Sequence, residues 1–271
     1  PLFYTQCNGR LVFGSEIKAI LACPEVPREL DPVALDQVFT YWSPQTPRTC
    51  FQGIFELPPA HFLVARDGDI QIRPYWDLTS TFDVGRSTLD VRPARSLDDY
   101  AAEFRSLLTD AVRIRLRADV PVGAYLSGGL DSSTIAAVVR NLGVSHLDTF
   151  SIAFSDPKFD ESEHQRKMAR FLGTDHQVVQ ATHADIGRVF PDVIWHTETP
   201  ILRTAPAPMF LLSKLVHDRN YKVVLTGEGA DEFLGGYDIF KETMVRRFWA
   251  RQPDSKWRPG LLRRLYPDFG G

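Results

Sequence analysis

Ser127-Gly128-Gly129-Leu130-Asp131-Ser132-Ser133 joins a short apolar run, Val120 to Leu126, to a second one, Thr134 to Arg140. The first run is of strand type, with Pro121 admissible near its start or on an edge. The second predicts a buried helix. Strand, glycine turn, helix is the geometry in which backbone N–H groups and a helix N-terminus converge on an anion. Gly128 and Gly129 can take φ > 0 and let a phosphate approach the main chain. Ser127, Ser132 and Ser133 add hydroxyl donors, and Asp131 sits where a magnesium ion accompanying phosphates needs a carboxylate. No lysine follows the glycines, so the G-x-x-x-x-G-K-[ST] phosphate motif is absent.

A later stretch repeats the pattern. Lys222-Val-Val-Leu225 predicts a buried strand, and Thr226-Gly227-Glu228-Gly229-Ala230-Asp231-Glu232 follows it as glycines and a helix start. Carboxylates at a helix N-terminus are favoured by the helix dipole alone. Two glycines beside them, at a strand end facing the first loop, suit a metal and a substrate better. Asp231 could complete a magnesium site with Asp131, and Glu228 could act as a general base. Ile152, in the predicted strand Thr149 to Phe154, is placed equally well to pack against a flat base or to fill the core.

The elements that must position these residues follow from periodicity and punctuation. Leu2-Phe-Tyr and Leu11-Val-Phe flank Asn8-Gly9, a hairpin signal. Ser15 is able to cap a short helix beginning near Glu16, and Asp31-Pro32 starts another with Pro at the first helical position. Cys50 to Val64 and Ile70 to Trp76 predict further strands around the Asp67-Gly68 turn; His61, next to two prolines, is structural. Thr79 to Arg95 is polar and aperiodic, a linker. Ser96 opens a helix with apolar residues at Phe104, Leu107, Leu108 and Ala111, feeding the strand before the glycine loop. Beyond it come a helix from Asp160 to Leu172 closed by Gly173, a strand His176 to Gln180, a helix striped by Ile186, Val189, Phe190, Val193 and Ile194, and a helix Met209 to Asp218. Strands alternating with helices imply an α/β fold, a parallel sheet flanked by helices, whose ligands bind beyond the carboxyl ends of the strands.

Composition bounds the class. At 271 residues the chain holds one or two domains, and 44% hydrophobic with 24% charged residues is ordinary for a globular protein. A formal charge of −3 argues against nucleic acid as a partner, and the arginines between Arg246 and Arg264 are most simply a solvated helix face. Cys7, Cys23 and Cys50 are too few and too irregular for a disulfide framework or a zinc site, and their odd number suits a reducing compartment. No run approaches the length of a membrane span and the start carries no signal-peptide pattern, which together predict a cytoplasmic protein without a membrane partner. Pro1-Leu-Phe-Tyr enters mid-strand, so the sequence is expected to be a fragment.

Two resemblances sharpen these readings. Pro1-Leu-Phe-Tyr, Gly14-Ser-Glu-Ile-Lys-Ala, Phe51-x-Gly-Ile-x-x-Leu-Pro-Pro-x-His61 and Tyr75-Trp76 resemble the last third of a class II glutamine amidotransferase domain, with Ala60 where that family usually has Gly. The resemblance implies that the cysteine nucleophile and glutamine-clamping residues lie upstream of Pro1, so that this chain by itself hydrolyses no glutamine. Ser127 to Ser133 resembles the pyrophosphate loop of the ATP pyrophosphatases that make acyl-adenylates. Together with Asp160-Glu161-Ser162, Gly173-Thr174-x-His176, Thr226 to Glu232 and Gly235-Gly236-Tyr237, it looks like the synthetase domain of the glutamine-dependent asparagine synthetase family; Phe233-Leu234 inverts that family's usual Leu-Phe. The implied fold is adenine-nucleotide alpha-hydrolase-like. The implied domains are 1–78, the C-terminal part of the amidotransferase; 79–97, a linker; and 98–271, the synthetase domain, continuing beyond Gly271.

By the same resemblance Leu126, Ser127, Gly128, Gly129, Leu130, Asp131, Ser132, Ser133, Ile152, Thr226 and Gly227 hold ATP, Asp131 and Asp231 bind Mg2+, and Glu228 is the catalytic carboxylate. Arg203 and Thr204 align with a substrate-facing loop of variable length. The implied chemistry has two steps: aspartate attacks the α-phosphate of ATP to give a β-aspartyl-adenylate and pyrophosphate, then glutamine-derived ammonia displaces AMP. A homodimer of the intact enzyme is compatible with it. Two rivals share the loops: β-lactam-forming or other amide-forming synthetases that take a different acid, and an inactive nucleotide-binding remnant. Loss of Asp131, Glu228 or Asp231 would favour the remnant, and all three are present. The tail beyond Tyr237, with Phe240, Met244, Val245, Phe248 and Trp249, predicts a helix whose apolar stripe is left exposed.

Overall fold

The computed structural model describes residues 1–77 and 95–265. The expected linker falls almost wholly outside them. The chain divides into two compact units, Pro1–Phe104 with Ala181–Lys214, and Arg105–Gln180 with Leu215–Gly271. The division does not follow chain order, because residues 181–214 group with the N-terminal third.

In the first unit, β1 (Phe3–Cys7) and β2 (Arg10–Gly14) form the hairpin foreseen at Asn8-Gly9, where both residues take positive φ. β3 (Phe55–Glu56) pairs with the other edge of β1, and β4 (His61–Arg66) with β5 (Asp69–Pro74) makes a separate antiparallel ribbon. His61 Nδ1 lies 2.7 Å from the Pro59 carbonyl, a local structural contact. Helix α1 (Ile17–Ile20) buries Ile17 and Ile20 against Val26 and Ile54. Helix α2 (Pro32–Tyr41) is capped as expected: Asp31 Oδ1 accepts from Val33 N at 2.9 Å and Ala34 N at 3.1 Å, with Pro32 at the first helical position.

Ser15 does not cap α1. Its place is taken by Glu198, at the end of helix α6 (His183–Thr197), whose two carboxylate oxygens accept from Ile17 N and Lys18 N, each at 2.6 Å. The Glu198 side chain is 10% exposed and also faces Lys18 Nζ at 3.4 Å. A capping carboxylate in the first turn meets both the orphan N–H groups and the dipole. Because hydrogen bonds to a charged group contribute about 1.5–3 kcal/mol, Glu198→Ala should lower the unfolding free energy by roughly 2–3 kcal/mol, with Glu198→Gln recovering part of it. Urea denaturation followed by tryptophan fluorescence checks this; an unchanged midpoint would remove Glu198 from its capping role.

The second unit is the expected α/β layer. Helix α3 (Leu97–Arg115) opens on a reciprocal cap, Ser96 N to Asp99 Oδ2 at 3.0 Å and Asp99 N to Ser96 Oγ at 3.1 Å. Strands β6 (Val122–Tyr125), β7 (Asp148–Phe154), β8 (Asp175–Ala181) and β9 (Val223–Leu225) form one sheet in the order β8-β7-β6-β9, and β6 pairs parallel with both neighbours. Helix α4 (Leu130–Asn141) follows β6, and α5 (Ser162–Leu172), closed by Gly173 at φ 62°, joins β7 to β8. Val112, Ala124, Val139, Leu147 and Leu225 form the core beneath the sheet, and Leu126, Ala136, Ala169 and Leu172 a second cluster beside it. Helix α7 (Pro206–Asp218) contributes residues to both units; α8 (Ala230–Leu234), α9 (Asp238–Ala250) and α10 (Gly260–Leu265) complete the described chain. Of the apolar stripe expected to be exposed on α9, Phe240 and Met244 lie in solvent, whereas Val245, Phe248 and Trp249 are half-buried, the Phe248 ring packing edge-on 5.7 Å from that of Trp257. Among the described residues, no helix is long and apolar enough to cross a membrane.

Candidate functional site

The strand order creates the site. From β6 the chain moves outward through β7 to β8, then returns to lay β9 on the other side of β6. Between β6 and β9 the winding reverses, and in open α/β sheets the crevice beyond the strand ends at such a reversal is where ligands bind. The registers Gly123↔Val224 and Ala124↔Leu225 bring the residues after β6 level with those after β9. These are the two glycine-bearing stretches, 126–133 and 226–232.

The first loop is tightly self-bonded. Gly129 N donates to Ser127 Oγ at 3.2 Å, the Ser127 and Ser132 hydroxyls lie 2.9 Å apart, and Ser132 Oγ reaches the Gly129 carbonyl at 3.4 Å. Ser127 N also donates to Ser132 Oγ at 3.1 Å. Two of the three expected hydroxyl donors are therefore spent on holding the loop's shape. The preorganised turn leaves backbone N–H groups at the head of α4 to face an anion. That helix begins at Leu130, four residues before the expected Thr134, which puts Asp131 in its first turn.

Only one of the two glycines uses the left-handed region. Gly128 sits at φ 86°, whereas Gly129 is the extended N-cap of α4 at φ −72°. A Cβ on Gly128 would also lie 2.7 Å from His164 Cβ and 2.9 Å from Gln165 N, so the loop is pressed onto the start of α5. Gln165, itself buried, donates from Nε2 to the Ile152 carbonyl at 2.9 Å, while its Oε1 is a buried acceptor without a partner among the described residues. Leu126, fully buried, is clamped to β7 through Phe150 O at 3.0 Å and the Ser151 hydroxyl. Ile152 is half-buried on β7.

The second stretch packs against the first. A Cβ on Gly227 would approach Ser132 N at 2.8 Å and Asp131 C and Cβ at 2.9 Å, so the loop after β9 rests on the backbone of Asp131. Gly229, at φ 91°, caps helix α8, whose first turn carries Asp231 and Glu232. A Cβ on Gly236 would fall 1.8 Å from Asp231 Oδ1, so this glycine makes the room the carboxylate occupies. Tyr237 donates to Glu232 Oε1 at 3.2 Å, and the negative charge of Glu232, with smaller contributions from burial, Asp231 and Glu228, pushes the phenol above its ordinary range. Asp231 and Glu232 thus stand at the head of α8, on the stretch that packs against Asp131, and carboxylate oxygen is the donor type that magnesium takes.

Gly236 stands in the sequence only as part of the run Gly235-Gly236-Tyr237, with nothing local to tie it to Asp231. If its role is to seat Asp231, Gly236→Ala should reproduce the activity loss of an Asp231 substitution while leaving the protein folded. Parallel assays of both variants check this, and wild-type activity in Gly236→Ala would reject it.

Two further motifs fasten the walls. Asp160 Oδ2 accepts from Ser162 Oγ at 2.7 Å and Oδ1 from Phe154 N at 3.2 Å, tying the end of β7 to the start of α5. The Ser162 hydroxyl, followed by the Phe154 N–H, holds the Asp160 carboxyl below its ordinary 3.8. A depressed folded value means stability present above the unfolded value and lost as pH falls through the folded one. Asp160→Asn should therefore flatten the acid limb of the stability–pH curve below about pH 4, as urea titrations over pH 3–6 would show. His176 Nδ1 lies 3.0 Å from Thr149 Oγ1, and burial, then the Arg166 charge, keeps the imidazole's value low.

Arg203 and Thr204 belong to the first unit, the two loops to the second. There the Arg203 guanidinium stacks 3.7 Å from the centre of the Trp42 ring, and the Thr204 carbonyl accepts from Ala207 N at 2.9 Å at the start of α7. Trp42 itself takes φ 70° at the C-cap of α2. No signal in the sequence pairs Trp42 with Arg203.

The family model described as asparagine synthase matches residues 103–269, and that described as a glutamine amidotransferase domain matches residues 1–76. Amidase chyE of Penicillium rubens is 34% identical over 271 residues, covering 94% of this chain and 38% of that protein. Asparagine synthetase [glutamine-hydrolyzing] 1 of Bacillus subtilis is 30% identical over 255 residues, 93% of this chain and 38% of its own length. Asparagine synthetase [glutamine-hydrolyzing] 3 of the same organism is 33% identical over 273 residues, 94% and 43% respectively. The chain spans about two fifths of the length of the curated relatives it matches.

Proposed function

The chain belongs to the asparagine synthase family, and on that footing we propose that the intact protein uses ATP to activate a carboxylic acid and transfers the acyl group to ammonia. Aspartate is the first-choice acid, giving asparagine. An oxygen of the acid's carboxylate bonds to the α-phosphorus of ATP as the bond to pyrophosphate breaks. Ammonia then bonds to the acyl carbon, AMP departs, and the surplus proton of the incoming nitrogen leaves to a base.

In this reading the Ser127–Ser133 loop takes the β- and γ-phosphates on its backbone N–H groups, and Leu126, Ile152, Thr226 and Gly227 shape the nucleoside wall. Asp131 and Asp231 would hold magnesium, which when bound supplies charge neutralisation at the transferring phosphoryl group. Glu228, after β9 and before the α8 cap, accepts the proton from the incoming nitrogen. Most of the rate gain comes from positioning and electrostatics.

The observation that carries the proposal is the seating of Gly227 on the backbone of Asp131. It sets the stretch after β9 against the glycine turn after β6, at the reversal of winding, which supports reading the two as parts of one site. The test is an intact-protein assay with ammonium chloride replacing glutamine, over a panel of aliphatic and aromatic amino acids. AMP, pyrophosphate and amide in equal amounts with aspartate support the full proposal. The same three products with another acid retain the activation chemistry and replace the substrate. No AMP above the ATP-only background with any acid overturns both.

A further inference from the structure

The opposite end of the same sheet carries a second cluster of ligand-type side chains. Asp148 is the first residue of β7 and Asp175 the first of β8, and Asp175 N donates to the Leu147 carbonyl at 3.1 Å, so the two strands start side by side. His146, two residues before β7, sits between the two carboxylates. Its Nε2 lies 3.4 Å from Asp148 Oδ2 and its Nδ1 3.7 Å from Asp175 Oδ2. One nitrogen of His146 and one oxygen from each aspartate fall within 4.8 Å of one another. We propose that His146, Asp148 and Asp175 form a binding site for a divalent transition-metal ion of the zinc or manganese type, separate from the nucleotide crevice.

The surroundings hold the three ligands in place. Arg140 donates from Nε to the Leu172 carbonyl at 2.8 Å, and from Nη1 to the Val144 and Ser145 carbonyls at 2.6 and 3.1 Å. One guanidinium therefore cross-links the two connections that carry His146 and Asp175, and its own charge is spent on carbonyls rather than on the aspartates. Tyr221 donates its hydroxyl to Asp148 Oδ2, orienting that carboxylate as an outer hydrogen-bond donor does in metal sites. Among the described residues, neither aspartate has a lysine or arginine partner. One imidazole and two carboxylates suit zinc or manganese, with bonds of about 2.0–2.2 Å for zinc. His146 and Asp175 are 64% and 67% exposed, so packing leaves room for rotamer changes that draw their ligand atoms together. Since the ligands fasten the loops before β7 and β8, the ion's role is to staple that end of the sheet.

The test uses the intact protein without a histidine tag. Zinc titrated calorimetrically should show one more binding equivalent in wild type than in His146→Gln/Asp175→Asn, and that equivalent should persist in Asp131→Asn, which separates it from the nucleotide crevice. Manganese at a tenth of an equivalent should selectively broaden the His146 imidazole resonances of the wild-type protein, a measurement that needs no variant. Equal zinc stoichiometry and affinity in wild type and the double variant would overturn the proposal. So would unbroadened His146 resonances.

Discussion

Asp131→Asn in the intact protein should slow isotope exchange between pyrophosphate and ATP by about 30- to 1000-fold with ammonia in excess. The figure corresponds to roughly 2–4 kcal/mol of transition-state stabilisation, comparable to removing one preorganised charge-stabilising group. Asp131 lies in the first turn of α4, on the residue pair against which Gly227 is packed, so the amide keeps the shape and removes the charge. Asp231→Asn should behave alike, because its carboxylate is held over Gly236 at the head of α8. Glu228→Gln should differ in kind, damaging amide formation at least as much as exchange, with ATP affinity little changed. Running exchange and amide production side by side on the three variants separates the roles. Wild-type exchange in Asp131→Asn would take the metal assignment away, and much of the reading of the loop with it.

Gly227→Ala should impair the same exchange by about 5- to 150-fold, equivalent to the roughly 1–3 kcal/mol typical of overpacking. The added methyl would meet Ser132 N and Asp131 C and Cβ at 2.8–2.9 Å. None of those atoms is the end of a flexible side chain, so relief must come from parting the two loops. The loss should therefore appear in activity more than in the unfolding midpoint. Gly187→Ala is the matched control: its Cβ would meet nothing within 4 Å, and a glycine within helix α6 is replaced by a better helix former. Equal activity in the two variants would show that the close approach of the loops is not needed.

What could be read from the sequence shares one physical character: it is decided within a few residues. Asn8-Gly9 forms its hairpin because both residues tolerate positive φ, and Asp31 and Ser96 cap helices whose first N–H groups lie two or three residues away. The strand–turn–helix around Ser127 was legible for the same reason, as was the alternation that implies a parallel sheet. The division of labour inside the loop was not. Gly128 alone needs φ > 0, and two serines close the loop rather than point outward, because those choices depend on the start of α5 pressing against it.

Longer-range facts needed the folded chain. Nothing local says that Glu198 caps a helix beginning at Ile17, 181 residues earlier, or that Arg203 stacks on Trp42. Ser15 was the better local candidate and lost, since a carboxylate spanning two N–H groups outcompetes a hydroxyl that contacts neither. The same holds for the site itself. The sequence by itself determined that this chain carries an anion-binding turn and a carboxylate cluster, each a short motif on its own strand. Only the tertiary structure decided that β9 returns to lie beside β6 and so seats one motif on the other, because strand order is settled by burial of whole faces across the sheet rather than by any run of neighbouring residues.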